Sequence, residues 1–321
     1  MYACIDLGSN SFHLLIARWQ DGRSEIVERF SHIVQLGEGV TLSGEISPAA
    51  FSRGIDSLRE FVDVMSRYPI RQYWALGTNA LRLARNAPQF LAAARELGLE
   101  VSVISGLQEA VLVYLGVMSG LPPTDEVRLV ADIGGGSTEV IIGHQGTRLV
   151  TRSLPIGCVS WRDRFFTPVA DKPSRQSQIL DEAVAEASKV FAGIRPECLQ
   201  HPWAAAYASS GTAKMLAAIL QMRGLPDGQI TRRALQALRA DVLACAGDPA
   251  ALLPGLKDRR KDLLMPGWAV LMGMMEAFEI ESIQFSPTAL REGMLHFMMQ
   301  NGPDTSRLDP QTMPQVTQTA L

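Results

Sequence analysis

Two short segments of this sequence carry residue types that suit phosphate binding. DLGSNSFHLLIAR at 6–18 aligns without gaps with DIGGGSTEVIIGH at 132–144, and both contain an Asp, a Gly, small residues, a Ser and then an apolar run. Turns built from Gly and Ser direct successive backbone N–H groups into one concavity that accepts phosphate oxygens, and hydroxyls add further donors. The repeat therefore predicts one phosphate-binding turn in each half of the chain.

The flanking residues indicate that each turn joins two β-strands. An apolar run precedes each segment, at 2–5 and 127–131, and aliphatic or β-branched residues follow it. This pattern is typical of a β-hairpin with a short polar turn. A Rossmann or Walker loop would instead open a helix and would read GxGxxG or GxxxxGK[ST], which neither segment does.

The rest of the sequence predicts alternating helices and strands. Ser47 is a plausible N-cap for a helix at 48–65, and GLPPTDE at 120–126 is the clearest linker. Further helices are predicted at 88–97, 106–118, 172–195, 212–223, 231–245 and 266–279, and strands at 72–77, 99–105, 203–208 and 281–285. This alternation indicates an α/β protein. We expect an N-terminal domain at 1–120, a C-terminal domain at 121–300 and a polar tail at 301–321.

Length and composition fit two soluble domains. The chain has 321 residues, of which 47% are hydrophobic and 20% charged. Its net charge of -3 argues against a nucleic-acid binder. Apolar runs are shorter than the ~20 residues that span a bilayer. Residues 1–8 lack the basic region of a signal peptide, and the four cysteines lie far apart, so we expect a cytoplasmic protein with reduced thiols.

Six motifs together resemble a known family. They are IDLGSNSFHLLI at 5–16, GTNALRLARN at 77–86, VISGLQEAVLVYLGV at 103–117, DIGGGSTEVIIG at 132–143, SSGTAKML at 209–216 and ALREGML at 289–295. In order and spacing they resemble the exopolyphosphatase and guanosine pentaphosphate phosphohydrolase family (Ppx/GppA) over about residues 1–298. The resemblance implies an α/β fold with duplicated actin-like ATPase (ribonuclease H-like) domains flanking a central cleft. It also implies a short, two-domain member, without the C-terminal helical region of longer relatives.

The resemblance assigns the catalytic base to Glu109, which would orient or deprotonate the attacking water. Many relatives carry consecutive glutamates here, whereas Gln108 precedes Glu109 in this sequence. Asp132 and Glu139 lie on either side of the second turn and offer hard oxygens to Mg²⁺, and Glu139 is also counted among the catalytic residues.

The repeat predicts that the metal binds at the second turn rather than at the first. Asp6 is the counterpart of Asp132, but His13 takes the place of Glu139. Phosphate groups would be bound by residues of the two turns and of two other motifs. The planar guanidinium of Arg82 would donate two hydrogen bonds to phosphate. Gly211 and Thr212 resemble a third loop, near the place where the base and ribose of a nucleotide would lie. The predicted substrate-binding set is Ser9, Asn10, Ser11, Thr78, Arg82, Gly135, Gly136, Ser137, Thr138, Gly211 and Thr212.

The expected function is a Mg²⁺-dependent exopolyphosphatase that releases terminal phosphate from inorganic polyphosphate. Guanosine pentaphosphate is the alternative substrate within the family. A sugar-type kinase or ATPase would need an adenosine pocket and a substrate-side aspartate, and a non-catalytic sensor of polyphosphate or alarmone is the non-enzyme alternative. The sequence leaves open whether the protein forms a homodimer. Basic residues that would steer a polyanion are Arg259, Arg260, Lys261, Arg162, Arg164 and Lys214.

Overall fold

The computed structural model describes residues 1–20, 23–167, 175–248 and 250–301. The contacts within the chain divide it into two compact units, one formed mainly by residues 1–119 and the other by residues 120–288. Each unit contains one mixed β-sheet together with helices. The α/β class expected from the sequence is therefore confirmed.

The first unit contains a five-stranded sheet in the order β3-β2-β1-β4-β5. Its strands are β1 (Tyr2–Leu7), β2 (Ser11–Gln20), β3 (Arg23–Ile33), β4 (Gln72–Gly77) and β5 (Val101–Val103). Its helices are α1 (Val40–Ser43), α2 (Pro48–Met65), α3 (Asn79–Leu83), α4 (Ala87–Glu96) and α5 (Gly106–Ser119). Strands β1, β2 and β3 are antiparallel, whereas β1, β4 and β5 run parallel.

Helix α2 begins where the sequence predicts it, because its N-terminus carries two local signals. Pro48 occupies the first turn, and the Ser47 hydroxyl accepts a hydrogen bond from the Ala50 amide at 3.2 Å. The buried face of α2 includes Leu58 and Phe61, which join the core formed by the aliphatic residues of β1 and β2.

The second unit contains a six-stranded sheet in the order β8-β7-β6-β9-β11-β10. Its strands are β6 (Val127–Ile133), β7 (Thr138–His144), β8 (Thr147–Leu154), β9 (Ala205–Ser209), β10 (Gln229–Thr231) and β11 (Ser282–Phe285). Its α-helices are α6 (Cys158–Trp161), α7 (Gln176–Ala192), α8 (Arg195–Cys198), α9 (Ser210–Gln221), α10 (Arg232–Ala237), α11 (Arg239–Gly247) and α12 (Leu264–Ala277). A π-helix covers Arg162–Phe166, and a 3₁₀-helix covers Asp258–Leu263.

The two sheets repeat the same arrangement. In each, three consecutive antiparallel strands are followed by two parallel ones, β4 and β5 in the first unit and β9 and β11 in the second. This duplication confirms the expected pair of actin-like, ribonuclease H-like domains. The methionine-rich helix α12 lies in the core of the second unit. Among the described helices, each is too short or too polar to cross a membrane.

The last described helix, α13 (Leu290–Asn301), belongs to the first unit, whereas the sequence-based boundaries place residues 289–300 in the second domain. Glycines explain the difference, because they let α13 and α5 approach closely. A Cβ atom on Gly116 would lie 1.7 Å from the Ala289 carbonyl oxygen, and one on Gly293 would lie 1.8 Å from that of Leu112. Of the predicted tail at 301–321, only Asn301 is among the described residues.

Candidate active site

The two glycine- and serine-containing turns have the same backbone hydrogen bond. The Gly8 amide donates to the Ser11 carbonyl at 3.2 Å, and the Gly134 amide donates to the Ser137 carbonyl at 3.0 Å. The first turn joins β1 to β2, and the second joins β6 to β7, so both predicted hairpins are confirmed. The sequence repeat therefore corresponds to a structural repeat.

A glycine from the segment that follows each hairpin packs on the turn. A Cβ atom on Gly37 would lie 2.7 Å from the Ser9 Cβ atom, and one on Gly157 would lie 2.5 Å from the Gly135 carbonyl carbon. The Gly37 amide donates to the Ser9 carbonyl at 2.8 Å, and the Val159 amide donates to the Gly135 carbonyl at 2.7 Å. These bonds use the carbonyl groups of the turn residues, whereas a phosphate would use their amide groups.

Polar groups of the first turn are buried. Ser9 is 5% exposed and Asn10 is 8% exposed. Within the described residues, the Ser9 Oγ and Asn10 Oδ1 atoms have no hydrogen-bond partner. Buried polar groups are nearly always satisfied in folded proteins, so this turn has the character of a ligand-binding site.

The candidate metal-binding carboxylates are direct cross-strand neighbours. Asp132 on β6 is the register partner of Glu139 on β7, and in the first unit Asp6 is the register partner of His13. Directly opposed residues share one face of the sheet, with Cβ atoms about 4.5–5.5 Å apart. The pairing that the sequence repeat implies is therefore present in both sheets.

Serine hydroxyl groups contact both carboxylates of the second unit. Ser153 donates to Glu139 Oε1 at 2.7 Å. Asp132 accepts hydrogen bonds on both oxygens, from Ser209 on Oδ1 and from Ser210 on Oδ2, the latter at 2.9 Å.

The donor set of the second unit fits Mg²⁺. Asp132 is 5% exposed and Glu139 is fully buried, and two ionised carboxylates so close together repel each other unless a cation is present. Mg²⁺ commonly takes one or two carboxylates and completes its coordination with water and substrate phosphate. Within the described residues, no group of three or more His, Cys, Asp or Glu side chains is suited to a metal ion, and Asp132 and Glu139 form a pair of carboxylates.

In the first unit, the predicted catalytic base Glu109 forms an ion pair with Arg82, the arginine predicted to bind phosphate. The Arg82 guanidinium donates to Glu109 Oε2 at 2.8 Å, and the same nitrogen donates to the Ile104 carbonyl at 2.9 Å. The exposed fractions of the Arg82 and Glu109 side chains are 19% and 9%. The orientation of the Glu109 carboxylate is therefore fixed by an arginine that is itself held by the backbone.

Gln108 has a structural role that explains its position beside Glu109. Its side-chain oxygen accepts from the Ser105 amide at 2.8 Å, and its own amide donates to the Ser105 hydroxyl at 3.2 Å. This reciprocal pair is a capping box at the start of α5, which either Gln or Glu can form. It tethers the helix turn that carries Glu109.

Two threonines of the predicted binding set use their hydroxyl groups within the fold. Thr78 Oγ1 donates to the Leu7 carbonyl at 3.4 Å, which ties it to the chain just before the first turn. Thr138 Oγ1 donates to the Ile156 carbonyl at 2.6 Å.

The third predicted loop, Gly211 and Thr212, lies at the start of α9. Arg260 packs on it, because a Cβ atom on Gly211 would lie 2.4 Å from a guanidinium nitrogen of Arg260. Burial lowers the pKa of the Arg260 guanidinium and raises the pKa of the nearby Cys158 thiol.

Several basic residues that the sequence suggests for steering a polyanion have other partners. Arg162 is buried and forms ion pairs with Asp163 at 2.9 Å and Asp262 at 2.8 Å. Lys261 pairs with Asp258 at 3.2 Å. Arg162 therefore serves the fold rather than an exposed basic surface.

Sequence reasoning did not identify five residues that support the site: Gly37, Gly157, Ser153, Ser209 and Ser210. A signal existed for the last two, because they begin the SSGTAKML motif at 209–216. Ser153 becomes visible only through strand register, since it is the β8 partner of Glu139. The two glycines act through close approach, which spacing along the chain does not encode.

Comparisons with known proteins agree on one family. A model of the Ppx/GppA phosphatase family matches residues 15–302. A curated Haemophilus influenzae protein, named as a candidate exopolyphosphatase, is 34% identical over 300 residues, which cover 93% of this chain and 91% of that protein.

Solved structures are similar over nearly the whole chain. The crystal structure of an exopolyphosphatase from Cytophaga hutchinsonii has a TM-score of 0.82 at 26% identity, covering 93% of this chain and 97% of that one. The Aquifex aeolicus member of the Ppx/GppA family has a TM-score of 0.73 at 27% identity, with coverages of 94% and 98%.

Proposed function

Because the chain belongs to the Ppx/GppA phosphatase family, we propose that it is a Mg²⁺-dependent exopolyphosphatase that releases the terminal phosphate of inorganic polyphosphate. The names of two similar proteins, from Haemophilus influenzae and Cytophaga hutchinsonii, support polyphosphate as the substrate. The observation that carries the proposal is the ion pair between Arg82 and Glu109, since it places an arginine suited to phosphate beside a candidate general base.

Glu109 would act on the attacking water. The water oxygen forms a bond to the terminal phosphorus, the bridging P–O bond breaks, and its electron pair stays with the shortened chain. A proton of the water passes to the Glu109 carboxylate. Phosphoanhydride hydrolysis needs little beyond such a positioned water and neutralisation of the phosphate oxygens. Arg82 holds the carboxylate in place and offers a further N–H group to phosphate.

The turns would bind phosphate oxygens through their backbone amides, with Ser9 adding a hydroxyl in the first unit. Asp132 and Glu139 would hold Mg²⁺, which when bound supplies positive charge to the phosphate oxygens. The buried carboxylate pair supports this assignment, because such a pair has the hard oxygens and the charge that Mg²⁺ prefers.

Phosphate release tests the proposal directly. Wild-type protein would be supplied with polyphosphate and with guanosine pentaphosphate in parallel, with Mg²⁺ or with a chelator, and Glu109→Gln would be assayed beside it. We expect Mg²⁺-dependent release from polyphosphate that the variant lacks. Faster release from guanosine pentaphosphate would assign the alternative substrate. Binding of either compound without any phosphate release would indicate a sensor rather than an enzyme.

A further inference from the structure

We propose that Ser210 is a positioning residue that holds Asp132 in the orientation required for Mg²⁺, and that its unfavourable backbone conformation is retained for this role. The inference rests on the proposed function, since it concerns the metal-binding carboxylates. It adds a residue outside the predicted binding set, at the junction between β9 and α9.

The contacts around Asp132 restrict its carboxylate from both sides. Ser209 donates to Oδ1, and Ser210 donates to Oδ2 at 2.9 Å. Ser209 is fully buried and Asp132 is only 5% exposed, so water has little access to replace these hydroxyls. With both oxygens bonded to serine hydroxyl groups, the carboxylate has one preferred orientation.

The backbone of Ser210 adds an independent observation. Its φ angle is 71°, in the left-handed region that residues other than glycine rarely adopt. Glycine would adopt this conformation without steric cost. A serine at this position therefore supplies a hydroxyl group at the cost of a less favourable backbone conformation. Strain of this kind is concentrated at functional sites.

The equivalent place in the first unit lacks both hydroxyl groups. The parallel partner of Asp132 is Ser209, whereas that of Asp6 is Leu76, and the next residue along is Gly77. The serine pair thus accompanies the carboxylate pair Asp132 and Glu139, and it does not accompany Asp6 and His13. This correlation within one chain favours a role at the metal site over a general requirement of the fold.

Two substitutions separate positioning from folding. Ser210→Ala removes the hydroxyl and keeps the unfavourable conformation, whereas Ser210→Gly removes both. Ser119→Ala is the matched control, because its hydroxyl makes a hydrogen bond of similar length, 2.8 Å to the Gly116 carbonyl, but lies at the end of α5. Mg²⁺ affinity would be measured by calorimetric titration of the metal-free proteins without substrate, and thermal unfolding would be recorded for each.

We expect both Ser210 variants to bind Mg²⁺ about 10–100-fold more weakly than wild type, as is usual when a group that orients a metal ligand is lost. Ser210→Gly should unfold at the same temperature as wild type or higher. In phosphate-release assays, the loss should appear as a higher Mg²⁺ requirement that excess Mg²⁺ reverses.

Wild-type affinity in Ser210→Gly would overturn the inference, as would a metal-free wild-type protein that takes up no Mg²⁺. Neither result depends on the identity of the phosphoanhydride. Phosphate release by wild type tests the proposed function separately, so the two failures can be told apart.

Discussion

Arg82 and Glu109 form a hydrogen-bonded ion pair with an N–O distance of 2.8 Å, although they lie on different helices, α3 and α5. The same guanidinium nitrogen also contacts the Ile104 carbonyl, at the end of the segment that leads into α5. Two residues assigned separate roles from the sequence are therefore mechanically coupled. A change to Arg82 should therefore affect both substrate binding and turnover.

Glu109→Gln should reduce kcat by about a hundredfold to ten-thousandfold, because a positioned general base contributes about this much to proton-transfer steps. Substrate affinity should change little, since the amide keeps the shape of the carboxyl group. Steady-state phosphate release and thermal unfolding would be measured together. The control is Glu45→Gln, which alters an exposed Arg–Glu pair with Arg85 at 3.1 Å. Turnover within about threefold of wild type would remove Glu109 from the mechanism.

Arg82→Lys should raise KM and lower kcat together. A lysine ammonium is a point charge and cannot reproduce the planar contacts of a guanidinium with carboxylate, carbonyl and phosphate. Losing one hydrogen bond to a charged group costs about 1.5–3 kcal/mol, so kcat/KM should fall about tenfold or more. Arg85→Lys provides the comparison at an exposed pair. An unchanged kcat with a raised KM would show that Arg82 binds substrate without orienting Glu109.

The repeat supplies a matched pair for the metal site. Glu139→Ala should raise the Mg²⁺ concentration that gives half-maximal activity, whereas His13→Ala should have a much smaller effect. The two residues hold equivalent register positions, opposite Asp132 and Asp6. Only the Asp132–Glu139 position has two carboxylates for a hard cation. Identical Mg²⁺ dependence in both variants and wild type would contradict the asymmetry.

Local signals in the sequence predict much of this fold. The two hairpins, the Ser47-capped helix and the strand at 72–77 depend on turn chemistry, capping and apolar runs within a few residues. The sequence pattern does not reveal the third strands β3 and β8, or the return of α13 to the first unit. These features depend on contacts between distant residues, as the Gly116 and Gly293 packing shows.

The candidate site divides in the same way. Residue types and motif spacing predict Glu109, Arg82, Asp132 and Glu139. The groups that orient them depend on register or on backbone conformation, as with Ser153 opposite Glu139 and Ser210 at positive φ. Propensities disfavour a serine in that conformation, so sequence reasoning has no means to predict it there.

Gly157→Ala should destabilise the second unit. The new Cβ atom would lie 2.5 Å from the Gly135 carbonyl carbon, and a backbone atom cannot move aside without distorting the turn. Overpacking of this kind usually costs about 1–3 kcal/mol in the free energy of unfolding. Gly247→Ala is the control, because the nearest atom to its new Cβ would be 4.0 Å away. Equal unfolding midpoints in urea for the two variants would show that the turn tolerates the change.

His296 should make folding weaker at mildly acidic pH. The His296 imidazole packs at a right angle to the Trp19 ring, with 5.5 Å between the ring centroids. Burial lowers the pKa of this imidazole, while the charge of Glu292 acts in the opposite direction. As pH falls below about 6.5, the unfolded chain binds a proton that the folded protein does not, so the free energy of unfolding decreases. This loss ends once pH passes below the lowered pKa. Urea unfolding from about pH 7 to 5 should therefore show a shallower decline for His296→Phe than for wild type. Parallel curves for the two proteins would mean that His296 is protonated equally in the folded and unfolded states.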